Sequence, residues 1–189
     1  MNNIAIFASG SGTNAQNIAD YFKRSDKISV SLILSNRADA FVLERAKLLG
    51  IKSCVFSRQD FYESDLVLNI LLENNIDLVV LAGFLWLIPD NLLSAFPGRI
   101  INIHPALLPK FGGKGMYGEK VHQAVIESGE KQTGITIHYV NAHYDEGEII
   151  FQKSIDILPG DTSDSIAQKV HTLEYNHFPR VIEEVINNC

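Results

Sequence analysis

The stretch Ile4-Ala5-Ile6-Phe7-Ala8-Ser9-Gly10-Ser11-Gly12-Thr13-Asn14 decides the fold class. An apolar run of strand length meets a glycine-rich polar loop, and a helical pattern through Ile18, Ala19 and Phe22 follows. The unit then repeats: Ile28 to Ser35 reads as a strand, Ala40 to Leu49 as a helix, and Gly50 stands where a helix C-terminus favours glycine. Ile51 to Phe56 is a third short strand, and a helical segment runs from about Phe61 to Asn75. Ile76 to Ala82 is almost continuously apolar, as expected of a strand covered on both faces.

Such alternation predicts a parallel sheet flanked by helices. A short helix near Pro89 to Ala95 leads to a buried strand over Arg99 to Ile103, which ends in His104-Pro105. From Thr133 the pattern changes. Gly134 to Val140 and Glu148 to Ile157 read as two strands, and a last helix spans about Asp164 to Asn187. The expected fold is one α/β domain over residues 1–189. It is Rossmann-like, with a mostly parallel sheet of about seven strands and helices on both faces.

Composition agrees with an ordinary globular chain: 46% hydrophobic and 20% charged residues, enough to bury a core, with no internal repeat or low-complexity tract. The net charge of −6 gives a field that repels nucleic acid, so any phosphate must be bound locally. Cys54 and Cys189 form neither a metal-type nor a disulfide-framework spacing, which suits a reducing cytoplasm. With no basic leader and no apolar stretch approaching the roughly 18 residues of a membrane span, the chain is expected to be neither secreted nor membrane-inserted.

The loop Ser9 to Asn14, between a strand and a helix, lies where backbone N–H groups and the helix dipole hold anions. It matches neither G-x-G-x-x-G nor the P-loop pattern. Two readings stay open: a phosphate site, or a tight turn with Thr13 or Asn14 as the helix cap.

Side chains two apart on a strand share a face, so Asn102 and His104 stand together while Ile103 faces the core. Pro105 restrains His104 to an extended backbone. The pair therefore sits at the C-terminal end of a parallel strand, where α/β sheets bind ligands. An amide and an imidazole there suit a reaction in which an oxyanion develops, and a nearby carboxylate would tune the histidine. Asp145, in the polar loop Asn141 to Gly147, is a candidate for that carboxylate, but spacing does not place it beside His104. A structural strand-end histidine and a solvated acidic turn are the competing readings.

Several ordered motifs resemble the folate-dependent formyltransferase superfamily: Ser9 to Asn14, Leu81-Ala82-Gly83-Phe84, Asn102-Ile103-His104-Pro105-Ala106-Leu107-Leu108-Pro109, Gly134 to Val140, and Asp145-Glu146-Gly147. They cover the chain from residue 4 to about 180. The N-I-H-P-x-L-L-P segment is specific to the superfamily, and the S-G-x-G-[ST]-N loop points within it to the enzymes acting on glycinamide ribonucleotide. The resemblance implies a formyltransferase fold and transfer of a formyl group from 10-formyltetrahydrofolate to the amine of that ribonucleotide. It gives Asn102, His104 and Asp145 as catalytic residues, with no metal and no covalent enzyme intermediate.

By the same resemblance, Gly12, Thr13 and Asn14 bind the phosphate and Glu174 the ribose hydroxyls. Leu85, Trp86, Leu87, Ile88 and Val140 line the pterin pocket, and His138 supports the catalytic group. Residues of about 1–100 would serve nucleotide and phosphate binding, and those of about 101–189 folate binding and catalysis. The expected partners are these small molecules, with no nucleic acid and no membrane, on a monomer or weak homodimer.

Trp86 stands where the superfamily often carries a basic residue, and Phe111 to Gly118 is a few residues longer than usual, either a mobile flap or a tolerated surface insertion. Lys110 is either a further anion contact or plain surface. His171, Glu174 and His177 are not read as a metal site, because at about 100° per residue His177 lies about 240° around the helix from His171. The competing functions are a formyltetrahydrofolate deformylase, a methionyl-tRNA formyltransferase and a non-catalytic nucleotide-binding module. The first two are expected to need further domains, and the third to have lost the catalytic residues.

Overall fold

The computed structural model describes residues 1–188. The elements run β1 (Asn2–Phe7), α1 (Thr13–Phe22), β2 (Ile28–Ser35), α2 (Val42–Leu49), β3 (Lys52–Val55), α3 (Arg58–Tyr62), α4 (Leu66–Glu73) and β4 (Ile76–Leu81). They continue with α5 (Asp90–Ala95), β5 (Ile100–His104), α6 (Glu119–Glu127), β6 (Gln132–Tyr139), β7 (Ile149–Asp156) and α7 (Ser163–Asn187). The strands form one seven-stranded sheet in the order β3-β2-β1-β4-β5-β6-β7. β1 to β5 pair in parallel, and β6 and β7 are added antiparallel. The mostly parallel sheet expected from the sequence is therefore present.

The period of two along each strand divides the core into two layers. Ile4, Ile6 and Ala8 face a cluster shared with α1, α2, α6 and α7, while Ala5 and Phe7 face the other side, against α3, α4 and α5. Phe7 is fully buried there, with the rings of Phe56, Phe61 and Phe84 at centroid distances of 5.8, 6.3 and 5.3 Å. Chain order leaves β1 outward in both directions, to β2 on one side and to β4 on the other. The loops after β1 and β4 consequently part at this switch point and leave a crevice at the C-terminal edge.

Three local features differ from the sequence reading. The expected helix from Phe61 to Asn75 is two helices. Ser57 and Asp60 close a capping box that starts α3 early, and Asp65, with non-helical backbone, begins α4 afresh. α6 was not anticipated, because its apolar positions Val121, Ala124, Val125 and Ile126 fall within only nine residues that follow a glycine-rich stretch. At the start of α1 the cap position is Gly12, with no side-chain cap bond, so Thr13 and Asn14 do not act as caps. No helix of the described residues is long and apolar enough to cross a membrane.

Because Phe7 joins the central strand to the aromatic layer, Phe7→Ala is expected to destabilise the protein by about 3–5 kcal/mol, read as a lower urea midpoint with an unchanged slope.

Candidate active site

The crevice is a cavity of about 810 Å³. On its walls lie all thirteen residues singled out from the sequence: Gly12, Thr13 and Asn14; Leu85 to Ile88; Asn102, His104, His138 and Val140; Asp145; and Glu174. Lys110 is elsewhere, paired with Glu130 at 2.7 Å on the exposed surface.

Two side chains hold the Pro105 to Pro109 segment that leaves β5. Thr136 Oγ1 donates to the Ala106 carbonyl at 2.7 Å and accepts from the Leu108 N–H at 3.0 Å, and Gln152 Nε2 donates to the Leu108 carbonyl at 2.9 Å. The Ala106 and Leu108 carbonyls and the Leu108 N–H are thus satisfied by side chains of β6 and β7, which ties this segment to the sheet. The β5–β6 register places Asn102 opposite His138 and His104 opposite Thr136.

Asp145 reaches this strand end from the β6–β7 loop, with φ of 58°, a left-handed conformation that Asp tolerates better than most residues. Its side chain is 11% exposed. Oδ2 lies 3.5 Å from His104 Nδ1 and accepts the Gly113 N–H at 2.9 Å. Oδ1 lies 3.4 Å from Asn102 Nδ2 and 3.6 Å from His138 Nε2. Asn102 Nδ2 also lies 3.1 Å from His138 Nε2. His138 Nδ1 is 2.8 Å from the Tyr139 carbonyl, which can only accept, so Nδ1 carries the proton and Nε2 presents its lone pair to the Asn102 amide. The Asn102 amide is thus shared between His138 Nε2 and, by a longer hydrogen bond, Asp145 Oδ1.

Burial pushes the His104 imidazole below its ordinary value, against the pull of Asp145 and of the Phe111 carbonyl. Burial also pushes Asp145 upward, but hydrogen bonding with His138, the neighbouring His104 and the Gly113 N–H together hold it below the ordinary carboxylate range. A buried imidazole that resists charging thus faces a carboxylate that stays charged.

At the other end of the cavity, Gly12 adopts φ of 73°, and a Cβ there would fall 2.4 Å from Val42 Cγ2, so the loop lies against α2 as only glycine allows. The first N–H groups of α1 have no intrahelical acceptor, and Gly12, Thr13 and Asn14 line the cavity. Asn14 Nδ2 donates to Glu174 Oε2 at 2.9 Å, and His171 Nδ1 lies 2.9 Å from the same oxygen. That hydrogen bond raises the His171 pKa against the opposing effect of burial. The wall formed by Leu85 to Ile88 continues into an aromatic group in which Trp86 lies 6.0 Å from the Phe56 ring and 5.8 Å from Phe61, with the Arg58 guanidinium 5.8 Å over the indole.

Further cavity residues were missed in the sequence, among them Arg37, Lys114, Met116, Tyr117, His122, Tyr144 and His171. Several belong to the segment read as a loop and to the unanticipated α6. His122 is the most buried of these, with Nδ1 lacking a hydrogen-bond partner. Among the described residues, no group of three or more His, Cys, Asp or Glu could hold a metal ion.

A sequence model described as formyl transferase matches residues 2–182. The chain is similar to the chloroplastic phosphoribosylglycinamide formyltransferase of Arabidopsis thaliana, 41% identical over 185 residues that cover 95% of this chain. It spans 63% of the length of that plant relative. It is similar also to the phosphoribosylglycinamide formyltransferase of Bacillus subtilis, 37% identical over 191 residues, covering 98% of this chain and 95% of the other. The crystal structure of glycinamide ribonucleotide transformylase 1 from Symbiobacterium toebii superposes with a TM-score of 0.90 at 35% identity, over 100% of this chain and 89% of that one. The match runs through the same segments that build the cavity, from β1 to α7, and the chain belongs to the formyl transferase family.

Proposed function

We propose that the chain transfers a formyl group from 10-formyltetrahydrofolate to the amine of glycinamide ribonucleotide, a step of purine biosynthesis. The observation that carries this reading is a single cavity joining an uncapped helix N-terminus, a buried amide, imidazole and carboxylate cluster, and an apolar aromatic wall. In this reading the phosphate takes the free N–H groups at Gly12, Thr13 and Asn14. Glu174, already oriented by Asn14 and His171, accepts from the ribose hydroxyls. The pterin lies against Leu85, Trp86, Leu87, Ile88 and Val140. Residues 1–100 thus supply mainly the phosphate end and 101–189 the reacting end of one domain, working as a monomer or weak homodimer in the cytoplasm.

The chemistry follows from the geometry. The amine attacks the formyl carbon, a C–N bond forms, and the carbonyl electron pair moves to oxygen. The proton lost by the amine is taken up at His104 Nδ1, so an imidazolium forms as the oxyanion does, next to the ionised Asp145. The Asn102 N–H that rests against Asp145 Oδ1 at 3.4 Å turns to the oxyanion and stabilises it together with the new Nδ1–H. On collapse the bond from the formyl carbon to the folate N10 breaks, and the proton passes through Asp145 or water to that nitrogen. His138 keeps the Asn102 amide turned toward the reaction.

Formyl transfer followed by folate absorbance should require glycinamide ribonucleotide in the wild type, and His104→Ala should lower kcat by about 10²- to 10⁴-fold. Folate release without an amine acceptor would mean a deformylase, and tight ribonucleotide binding without turnover a binding module; either would overturn the reading.

The starting state needs neutral His104 and ionised Asp145. Since His104 is held below its ordinary 6.5, the acid limb of kcat/KM is expected to fall below pH 6.5. The same shift acts on stability. Between the folded and unfolded values the unfolded chain binds more protons, so stability drops as pH falls from 6.5 through the folded pKa. Urea midpoints measured across this range should flatten in His104→Gln.

Glu174→Ala is expected to raise KM for the ribonucleotide about tenfold, the loss of one charge-assisted hydrogen bond, with a much smaller change in kcat; a kcat effect alone would remove Glu174 from the ribose site.

A further inference from the structure

We propose that the backbone turn Phe111-Gly112-Gly113 is a positioning element of the catalytic centre, which fixes His104 as its Nε2–H tautomer and leaves Nδ1 as the one nitrogen through which a proton can pass. The kinetic part rests on the formyl-transfer reading; the structural part does not.

His104 Nε2 lies 2.7 Å from the Phe111 carbonyl oxygen. Acceptors face both ring nitrogens, but the Phe111 carbonyl at 2.7 Å is within hydrogen-bond reach while Asp145 Oδ2 at 3.5 Å is not, so the hydrogen of the neutral ring is assigned to Nε2. The lone pair of the neutral ring is then at Nδ1, which faces Asp145 Oδ2 at 3.5 Å. That same Oδ2 accepts the Gly113 N–H at 2.9 Å. Within three residues the main chain therefore holds the histidine by a carbonyl and the carboxylate by an amide, and it sets the angle between them.

Such a double grip needs an abrupt bend. Phe111 takes φ of 57°, an unusual conformation for a bulky residue. At Gly112 a Cβ would stand 2.5 Å from Leu108 Cδ2 and 3.2 Å from Asp145 Cβ. The backbone lies close to Asp145, and a Cβ there would have to displace the Leu108 methyl and push Asp145 aside by a few tenths of an ångström. His138 has the opposite arrangement, with its hydrogen on Nδ1 directed at the Tyr139 carbonyl. Two neighbouring imidazoles are thus locked by two backbone carbonyls into different tautomers, one to accept from Asn102 and the other to exchange a proton. The titratable groups facing His104 are Asp145 from the β6–β7 loop, His138 from β6 and Glu174 from α7.

The test uses ¹⁵N-histidine NMR on the wild-type protein together with Gly112→Ala. The wild type should show neutral His104 as the Nε2–H tautomer with a protected Nε2 proton, and Gly112→Ala should show averaged tautomers. In Gly112→Ala, kcat should fall about ten- to a hundredfold, the span of a lost hydrogen bond to a charged group, while KM for the ribonucleotide stays within about threefold. Gly112→Ala combined with Leu108→Ala, which removes the nearest obstruction, should recover part of kcat and of the tautomer signal. Should Gly112→Ala not fold, the wild-type spectrum decides. A wild-type His104 carrying its hydrogen on Nδ1, or a folded Gly112→Ala with unchanged tautomer and unchanged kcat, would overturn the proposal. Absence of ribonucleotide-dependent transfer in the wild type would sink the functional reading instead, leaving the tautomer measurement to judge the turn by itself.

Discussion

The carboxylate of Asp145 sets the terms for the rest of the site. It is largely removed from water at 11% side-chain exposure, and a buried charge is costly unless hydrogen-bond donors surround it. The groups around it come from places far apart in the chain: the Asn102 amide on β5 and the Gly113 N–H after it donate to it, and the rings of His104 and His138 on β5 and β6 lie 3.5 and 3.6 Å away. Bringing them to one point requires the end of β5, the hairpin of β6 and β7, and the turn at residues 111–113 to pack together. The same packing closes one wall of the cavity.

The sheet reconciles two demands. Its parallel half opens a crevice at the switch point between β1 and β4 and delivers the α1 N-terminus there, as parallel sheets do for phosphate ligands. Its antiparallel addition brings a strand back beside β5, so that His138 stands opposite Asn102, with the loop carrying Asp145 just beyond it. One half presents backbone dipoles at a helix N-terminus, and the other gathers titratable side chains.

Much of this was legible in the sequence because it depends on local periodicity. The run Ile4 to Ala8 with its glycine loop, and Asn102 with His104 two residues apart on a strand, are both stated by spacing alone. Asp145 is different. Its nearness to His104 depends on how a hairpin 41 residues further along folds back, which no spacing expresses, and only the family motifs pointed to it. α6 was lost because its apolar positions fall within a short stretch that follows several glycines, and with it went His122. The break between α3 and α4 turned on capping chemistry at Ser57, Asp60 and Asp65, where the three-residue interruption Glu63 to Asp65 is hidden by the apolar residues on either side.

The pairing of Asn102 with His138 also determines where this chain can change length. Successive side chains of a strand point to opposite faces, so one residue gained or lost inside residues 132–138 would turn His138 away from Asn102 and replace it with a neighbour. The connection between α6 and β6, residues 128–131, carries no such parity, since it is a largely exposed turn. Insertions in relatives of this chain should therefore gather in that connection, in any number of residues, while the strand itself admits none.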